Sequence, residues 1–233
     1  MRIEVWSDVV CPWCYIGKRH LEAALAAFPH RDEVEVVYRS FELDPSAPEV
    51  PVETTVESLA KKFGTDVPGA RELMKRADGA AAAAGLTFDH GDAPHARTVD
   101  AHRLLHLALD EGRQGEVKEA LLAAYFSRGE SMADHAVLRR VAVSAGLDPA
   151  RVDAVLAGED YADAVRADIE QARAYGATGV PFFVVDQRYG LSGAQPTEVF
   201  SQLLDQAWTE SHPGLEVVGA PDAEACGPDG CAI

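Results

Sequence analysis

The chain has 233 residues, 47% hydrophobic and 25% charged, a balance that suits one large globular domain or one domain carrying an insertion. Thirty-eight acids against twenty-one bases give a formal charge of −17, with no basic cluster to offset it, which argues against nucleic acid and membrane surfaces as partners. The opening MRIEVWSD has neither region of a signal peptide and no apolar run approaches a membrane span, so a cytoplasmic location is expected.

Residues 2–7 read as a short buried strand, in which Ile3, Val5 and Trp6 lead into WSDVVCPWCYIGK. A helix follows. Cys14, Leu21, Leu25 and Phe28 recur at helical spacing, which puts Cys14 on the buried stripe. Cys11 falls at the first turn and is expected to be exposed, and Pro12 fits an early position where a missing N–H costs nothing. VEVVYRSFEL (34–43) is the next strand, so the opening is β-α-β, favouring a parallel pair with a right-handed crossover.

From about Glu53 to Tyr175 the pattern is helical throughout. Val117, Ala120, Leu121, Ala124 and Tyr125 make one apolar face; Leu138, Val141, Ala142 and Ala145 make another. AAAAAG near 80–85 reads as a helix ending at Gly85. LDPARVDAVLAG has Asp148 as N-cap, Pro149 at the first helical position and Gly158 as terminator. Strand character returns with GVPFFVVD (179–186) and a hairpin return in RYGLSGA. Pro196 then opens a last helix with Val199, Phe200, Leu203 and Leu204 inward. The expected organisation is an α/β core from residues 1–50 and 176–215, a helical insertion over 51–175, and a tail over 216–233.

Two cysteines three apart at a strand-to-helix junction suit disulfide exchange. The unpaired N–H groups and dipole of the helix favour an anionic first thiol, which attacks a substrate disulfide. The second thiol, three residues on, resolves the mixed disulfide. The alternative is half of a zinc site. Pro12 and Trp13 are unusual inside zinc knuckles, and no second C-x-x-C follows.

CPWCYIGK in a β-α-β opening, the long helical segment and GVPFFVV…LSGAQP after it resemble the DsbA-like branch of the thioredoxin superfamily, and within it the FrnE-type dithiol-disulfide oxidoreductases. The resemblance implies an α/β, thioredoxin-like core with a large all-helical insertion. It also implies that Cys11 is the nucleophile, Cys14 the resolving thiol, and Pro181 a cis proline beside them, leaving the Val180 backbone to pair with substrate. No bound cofactor is implied; a thiol such as glutathione is the co-substrate, the partners are disulfide-containing proteins or small thiols, and a homodimer is left open. Glutathione-dependent 2-hydroxychromene-2-carboxylate isomerases and kappa-class glutathione transferases share this fold. They look to a serine near the position of Cys11 and need no second thiol at Cys14.

His102 and His106 are four apart, a spacing that can chelate a metal, yet a Glu does not follow His102 as His-Glu-x-x-His requires; packed or hydrogen-bonded helix histidines, with no metal, are expected. His90 and His95 fall in the loop before that helix and receive no role. Asp8 either relays a proton or caps the active-site helix. Cys226 and Cys231 flank Gly-Pro-Asp-Gly, a turn sequence that can bring them within disulfide reach. The staple would close a very short loop, so a second redox pair is the expectation, against idle thiols on a frayed terminus. FrnE-type relatives can carry such a C-x4-C motif.

Overall fold

In the computed structural model, which describes residues 1–213, the first strand, β1 (Arg2–Ser7), is buried from Ile3 onward. It is followed by α1 (Pro12–Ala27) and β2 (Glu35–Ser40). Seven helices come next: α2 (Thr55–Phe63), α3 (Val67–Ala83), α4 (Val99–Asp110), α5 (Gln114–Arg128), α6 (His135–Ser144), α7 (Pro149–Ala157) and α8 (Ala162–Ala174). The described chain closes with β3 (Phe182–Val185), β4 (Tyr189–Ser192) and α9 (Thr197–Ser211).

The four strands stand in the order β2-β1-β3-β4. β1 and β2 are parallel, with Ile3 opposite Val36 and Trp6 opposite Arg39. β3 runs antiparallel to β1, placing Phe183 opposite Val5, and β4 returns antiparallel to β3. Strand alternation sends Ile3 and Val5 to one face, where they pack with Leu21 of α1, Phe28 just past its end, and Phe200 and Leu204 of α9. Trp6 goes to the other face, against Ala172 of α8. This is the α/β, thioredoxin-like core expected from the sequence, with the helices inserted between β2 and β3.

The strands are shorter than their sequence signals. β2 stops at Ser40 rather than residue 43; the Ser40 N–H goes to Asp168 Oδ2 at 2.8 Å, and past the strand the Leu43 N–H goes to Asp8 Oδ2 at 2.8 Å. β3 covers four residues of the eight in 179–186. It ends in a mirror-image turn, with Asp186 and Gln187 at φ 46° and 56° and Arg188 N–H on Val185 O at 3.0 Å, the hairpin turn whose twist matches the strands. In α9, Phe200 and Leu204 are buried as expected, while Val199 and Leu203 are half-buried. The caps of α7 form as read: Asp148 accepts the Arg151 N–H at 2.9 Å, and Gly158 ends the helix.

The largest apolar cluster lies among the inserted helices and takes in Val9, Tyr15 and Ile16 from the cysteine segment. The first part of α1 is therefore gripped between sheet and insertion. His90 sits in this cluster, edge-on to Phe88 and Phe126 and tilted against Tyr125. Burial pushes its imidazole down to about 4. Its folded form stays neutral to about that pH, whereas an unfolded histidine takes a proton near 6.5. Stability should therefore fall as pH drops through this window, by about 3 kcal/mol in all at roughly 1.4 kcal/mol per pH unit. Urea unfolding midpoints measured from pH 7 to 4 should show that decline, flattened in His90→Phe. Equal slopes would contradict it.

Candidate active site

Cys11 is the N-cap of α1, in extended conformation (φ −92°, ψ 115°), rather than a residue of its first turn, and Pro12 occupies the first helical position. The Cys14 N–H reaches back to Cys11 O at 3.1 Å, which fixes the two side chains on one edge of the turn. Both thiols are free. Cys14 is buried, as the helical spacing predicts. Burial, with the hydrogen bond and charge of Cys11 adding to it, pushes the Cys14 thiol well above the ordinary thiol range. Such a thiol keeps its proton at neutral pH, which suits it to the second step rather than the first.

The expectation of an exposed Cys11 is corrected: the residue is 3% exposed. The Val180–Pro181 segment lies against it, and its thiol donates to the Val180 carbonyl at 3.5 Å. The Val180–Pro181 bond is cis. Gly17, one turn further along α1, is what lets the helix approach this loop. A Cβ there would stand 3.1 Å from Pro181 Cγ, 3.3 Å from the Phe183 ring and 3.4 Å from the Ala194 backbone. Gly17→Ala should push Pro181 off its seat, costing about 1–3 kcal/mol of stability and lowering turnover while both thiols remain titratable. Thermal melts with thiol counting test this; unchanged melting and turnover would show that the loop yields freely.

Asp8 does not cap α1. Its Oδ2 accepts the Leu43 N–H, and Oδ1 faces His102 Nε2 at 3.3 Å. Burial works to raise the carboxyl, but the hydrogen bond and charge of His102, the Leu43 N–H and the charge of Lys118 hold it below the usual carboxylate range. It is a fixed negative charge beneath the cysteines. Trp13, half-buried, carries the Arg76 guanidinium 5.8 Å above its ring, linking the motif to α3. A small cavity of about 130 Å³ opens beside Asp8 and Val10, lined also by Leu43, His95 and Tyr125.

Residues 2–205 match the family model of the DSBA-like thioredoxin domain. The chain belongs to this family. The probable DsbA oxidoreductase SCO1869 of Streptomyces coelicolor is 51% identical, over 100% of this chain and 99% of that one, with a TM-score of 0.85. Two further structures share the DsbA-like fold at low identity. A 2-hydroxychromene-2-carboxylate isomerase is 11% identical over 91% and 98% of the two chains (TM-score 0.66). The cytosolic disulfide reductase DsbM of Pseudomonas aeruginosa, determined with GSH, is 17% identical over 88% and 98% (TM-score 0.62).

In this DsbA-like chain the helix histidines take separate partners. His102 meets Asp8, whereas His106 Nε2 faces Asp168 Oδ2 at 3.0 Å and Ser40 Oγ at 3.2 Å. His95 pairs with Asp44 at 3.1 Å. Among the described residues no three His, Cys, Asp or Glu side chains gather as a metal site would require, and no helix is long and apolar enough to cross a membrane. Cys226 and Cys231 lie outside the described residues.

One group near the thiols went unread in the sequence. Lys118 of α5 is 1% exposed, and its Nζ stands 5.7 Å from the centre of the Tyr38 ring. A signal was available: Gln114, Lys118, Leu121 and Tyr125 follow i, i+4, i+7, i+11 and form one buried stripe. The apolar face read from Val117, Ala120, Leu121, Ala124 and Tyr125 passed over it.

Proposed function

We propose that the chain is a FrnE-type thiol-disulfide oxidoreductase, working in the cytosol without a bound cofactor on protein or small-molecule disulfides. One observation carries this reading: two free thiols three residues apart open α1, the first against the Val180 carbonyl and the second buried behind it. As a thiolate, Cys11 attacks one sulfur of a disulfide R–S–S–R′. The Cys11–S–S–R bond forms, and R′S⁻ leaves and takes a proton. Cys14, as thiolate, then attacks the Cys11 sulfur, closing Cys11–Cys14 and releasing RS⁻. The dithiol supplies both electrons, and two equivalents of glutathione return them as glutathione disulfide. Val180 and Pro181 form the docking element, where an extended substrate segment pairs with the loop backbone.

A second reading, a glutathione-dependent isomerase or transferase, is supported by the fold shared with 2-hydroxychromene-2-carboxylate isomerase. That chemistry leaves Cys14 without a task. Insulin reduction with glutathione as electron donor, run beside isomerisation of 2-hydroxychromene-2-carboxylate, separates the two. Turnover is expected in the first assay. Turnover confined to the second would replace the oxidoreductase reading.

A further inference from the structure

Lys118 is a buried amine that the exchange steps above do not use. Its Nζ is enclosed, and has no hydrogen-bond partner among the described residues. Lysines are seldom fully buried without an acidic or carbonyl partner, because an unpaired ammonium in a low-dielectric interior is strongly disfavoured. The position is held from two sides. Gln114, one turn earlier on α5, exchanges hydrogen bonds with the Tyr38 backbone (2.8 and 2.9 Å), and this pins α5 against β2 so that Lys118 passes over the Tyr38 ring. The charges that act on it come from the active-site segment and from Lys18.

Among the charges, Cys14 acts on Lys118 most strongly, followed by Asp8 of the β1–α1 connection and then Cys11, all favouring the ammonium. Lys18 of α1 opposes it as a like charge, but is occupied by Glu22 and Glu119 at 2.5 and 2.6 Å. Asp8 is already committed to His102 and Leu43 N–H. Burial is the dominant influence and pushes the amine down to about 8, within reach of neutral pH. Cys14 is displaced in the opposite direction. A buried acid and a buried base whose charged forms are each disfavoured by burial, but stabilise each other, are suited to trading one proton.

We propose that Lys118 is the proton site of the resolving thiol, a role that rests on the oxidoreductase reading above. With Cys11 in a mixed disulfide, the Cys14 thiol loses its proton and the Lys118 amine becomes ammonium, giving a thiolate–ammonium pair. The Cys14 thiolate attacks the Cys11 sulfur, the Cys11–S–S–R bond breaks, and the electron pair leaves on RS⁻. The Lys118 proton then passes to RS⁻ through solvent, yielding RSH, a Cys11–Cys14 disulfide and a neutral amine. Atoms and charge balance, and the oxidant is the substrate disulfide. In reverse, reduction of the pair loads Lys118 with the proton again. The amine is therefore more basic beside the reduced pair than beside the disulfide.

Lys118→Met keeps the aliphatic stem and removes the base. Because it also removes a buried unpaired charge, it should melt at or above the wild-type temperature. In a single-turnover reaction with a chromogenic disulfide, the first attack by Cys11 should be unchanged, while resolution by Cys14 slows about tenfold or more for each pH unit that the Cys14 thiolate becomes harder to form. Thiolate absorbance in a full-length chain with Cys14 as its sole cysteine (Cys11→Ser, Cys226→Ser, Cys231→Ser) reads that shift directly, with no substrate. Lys118→Met should raise its midpoint by a unit or more. An unmoved midpoint overturns the proposal even if disulfide turnover is normal; absent turnover in the wild type with a moved midpoint overturns the oxidoreductase reading instead. Should Lys118→Met not fold, lysine-labelled wild-type protein titrated by NMR serves as well: Lys118 should deprotonate at a higher pH in the reduced than in the oxidised chain, and equal midpoints would end the idea.

Discussion

Cys11→Ser should reduce disulfide-exchange activity to background, and Cys14→Ser should instead leave the protein bound to its substrate. The difference follows from where each thiol sits. Cys11 opens the helix against the Val180 carbonyl, and without its sulfur the first attack of the exchange is lost. Cys14 lies behind it, and burial together with Cys11 holds its proton on. Replacing Cys14 leaves the first attack intact and removes the group that would break the resulting bond. Non-reducing gels of Cys14→Ser, with Cys226→Ser and Cys231→Ser in both variants, should show on incubation with oxidised insulin a stable adduct that a thiol reductant dissolves, at a stoichiometry of one. Cys11→Ser should show none. Retained reductase activity in Cys11→Ser would end the redox assignment. Cys14→Ser that turns over a glutathione adduct without accumulating one would favour the isomerase reading, in which a single residue at the helix start suffices.

Local sequence carried the placement of the cysteine pair because its geometry is local. Cys11 and Cys14 belong to one helical turn, and the strand before them and Pro12 inside them place that turn without help from elsewhere. Pro181 was legible through resemblance, since nothing in its neighbours sets the isomer of its bond. The burial of Cys11 was not legible, because the covering group comes from a loop 169 residues away. Asp8 illustrates the same limit. Its spacing from Cys11 suggests a cap, but its partners are a backbone N–H after β2 and a histidine on α4. Lys118 was visible as a polar break in a buried stripe, and its meaning depended on which element that stripe would face. Strand ends failed for a related reason. β-propensity continues through Phe41 and Leu43, while the backbone at the strand end and past it is held by Asp168 and Asp8, side chains from other segments.

Those side chains lead to the second large effect. Asp168→Ala should destabilise the fold by about 3–5 kcal/mol, the range for removing one member of a buried charged network. Asp168 is on α8 and is buried. Its Oδ2 accepts the Ser40 N–H and faces His106 Nε2, while Oδ1 accepts from Arg39 at 3.3 Å. Arg39 in turn binds Glu4 of β1, and the Asp168 carbonyl accepts the Trp6 indole N–H at 2.7 Å. One helical residue thus joins β1, β2 and α4. Alanine leaves the Ser40 amide without its acceptor and Arg39 with half its counter-charge, and both costs fall in the interior. Asp168→Asn keeps one acceptor oxygen for Ser40 but loses the charge and aims an amide donor at groups that are themselves donors. The expected order of stability is wild type, Asn, Ala. Urea unfolding curves measure it, and a loss below about 1 kcal/mol in the alanine variant would show that Arg39 and Ser40 find other partners. The consequence should reach the active site through the chain between Ser40 and Leu43. That segment is fastened at one end by Asp168 and at the other by Asp8, so freeing the first fastening loosens the second. Turnover in Asp168→Ala should therefore fall even at temperatures where the variant is fully folded, with Cys11 still able to form a mixed disulfide.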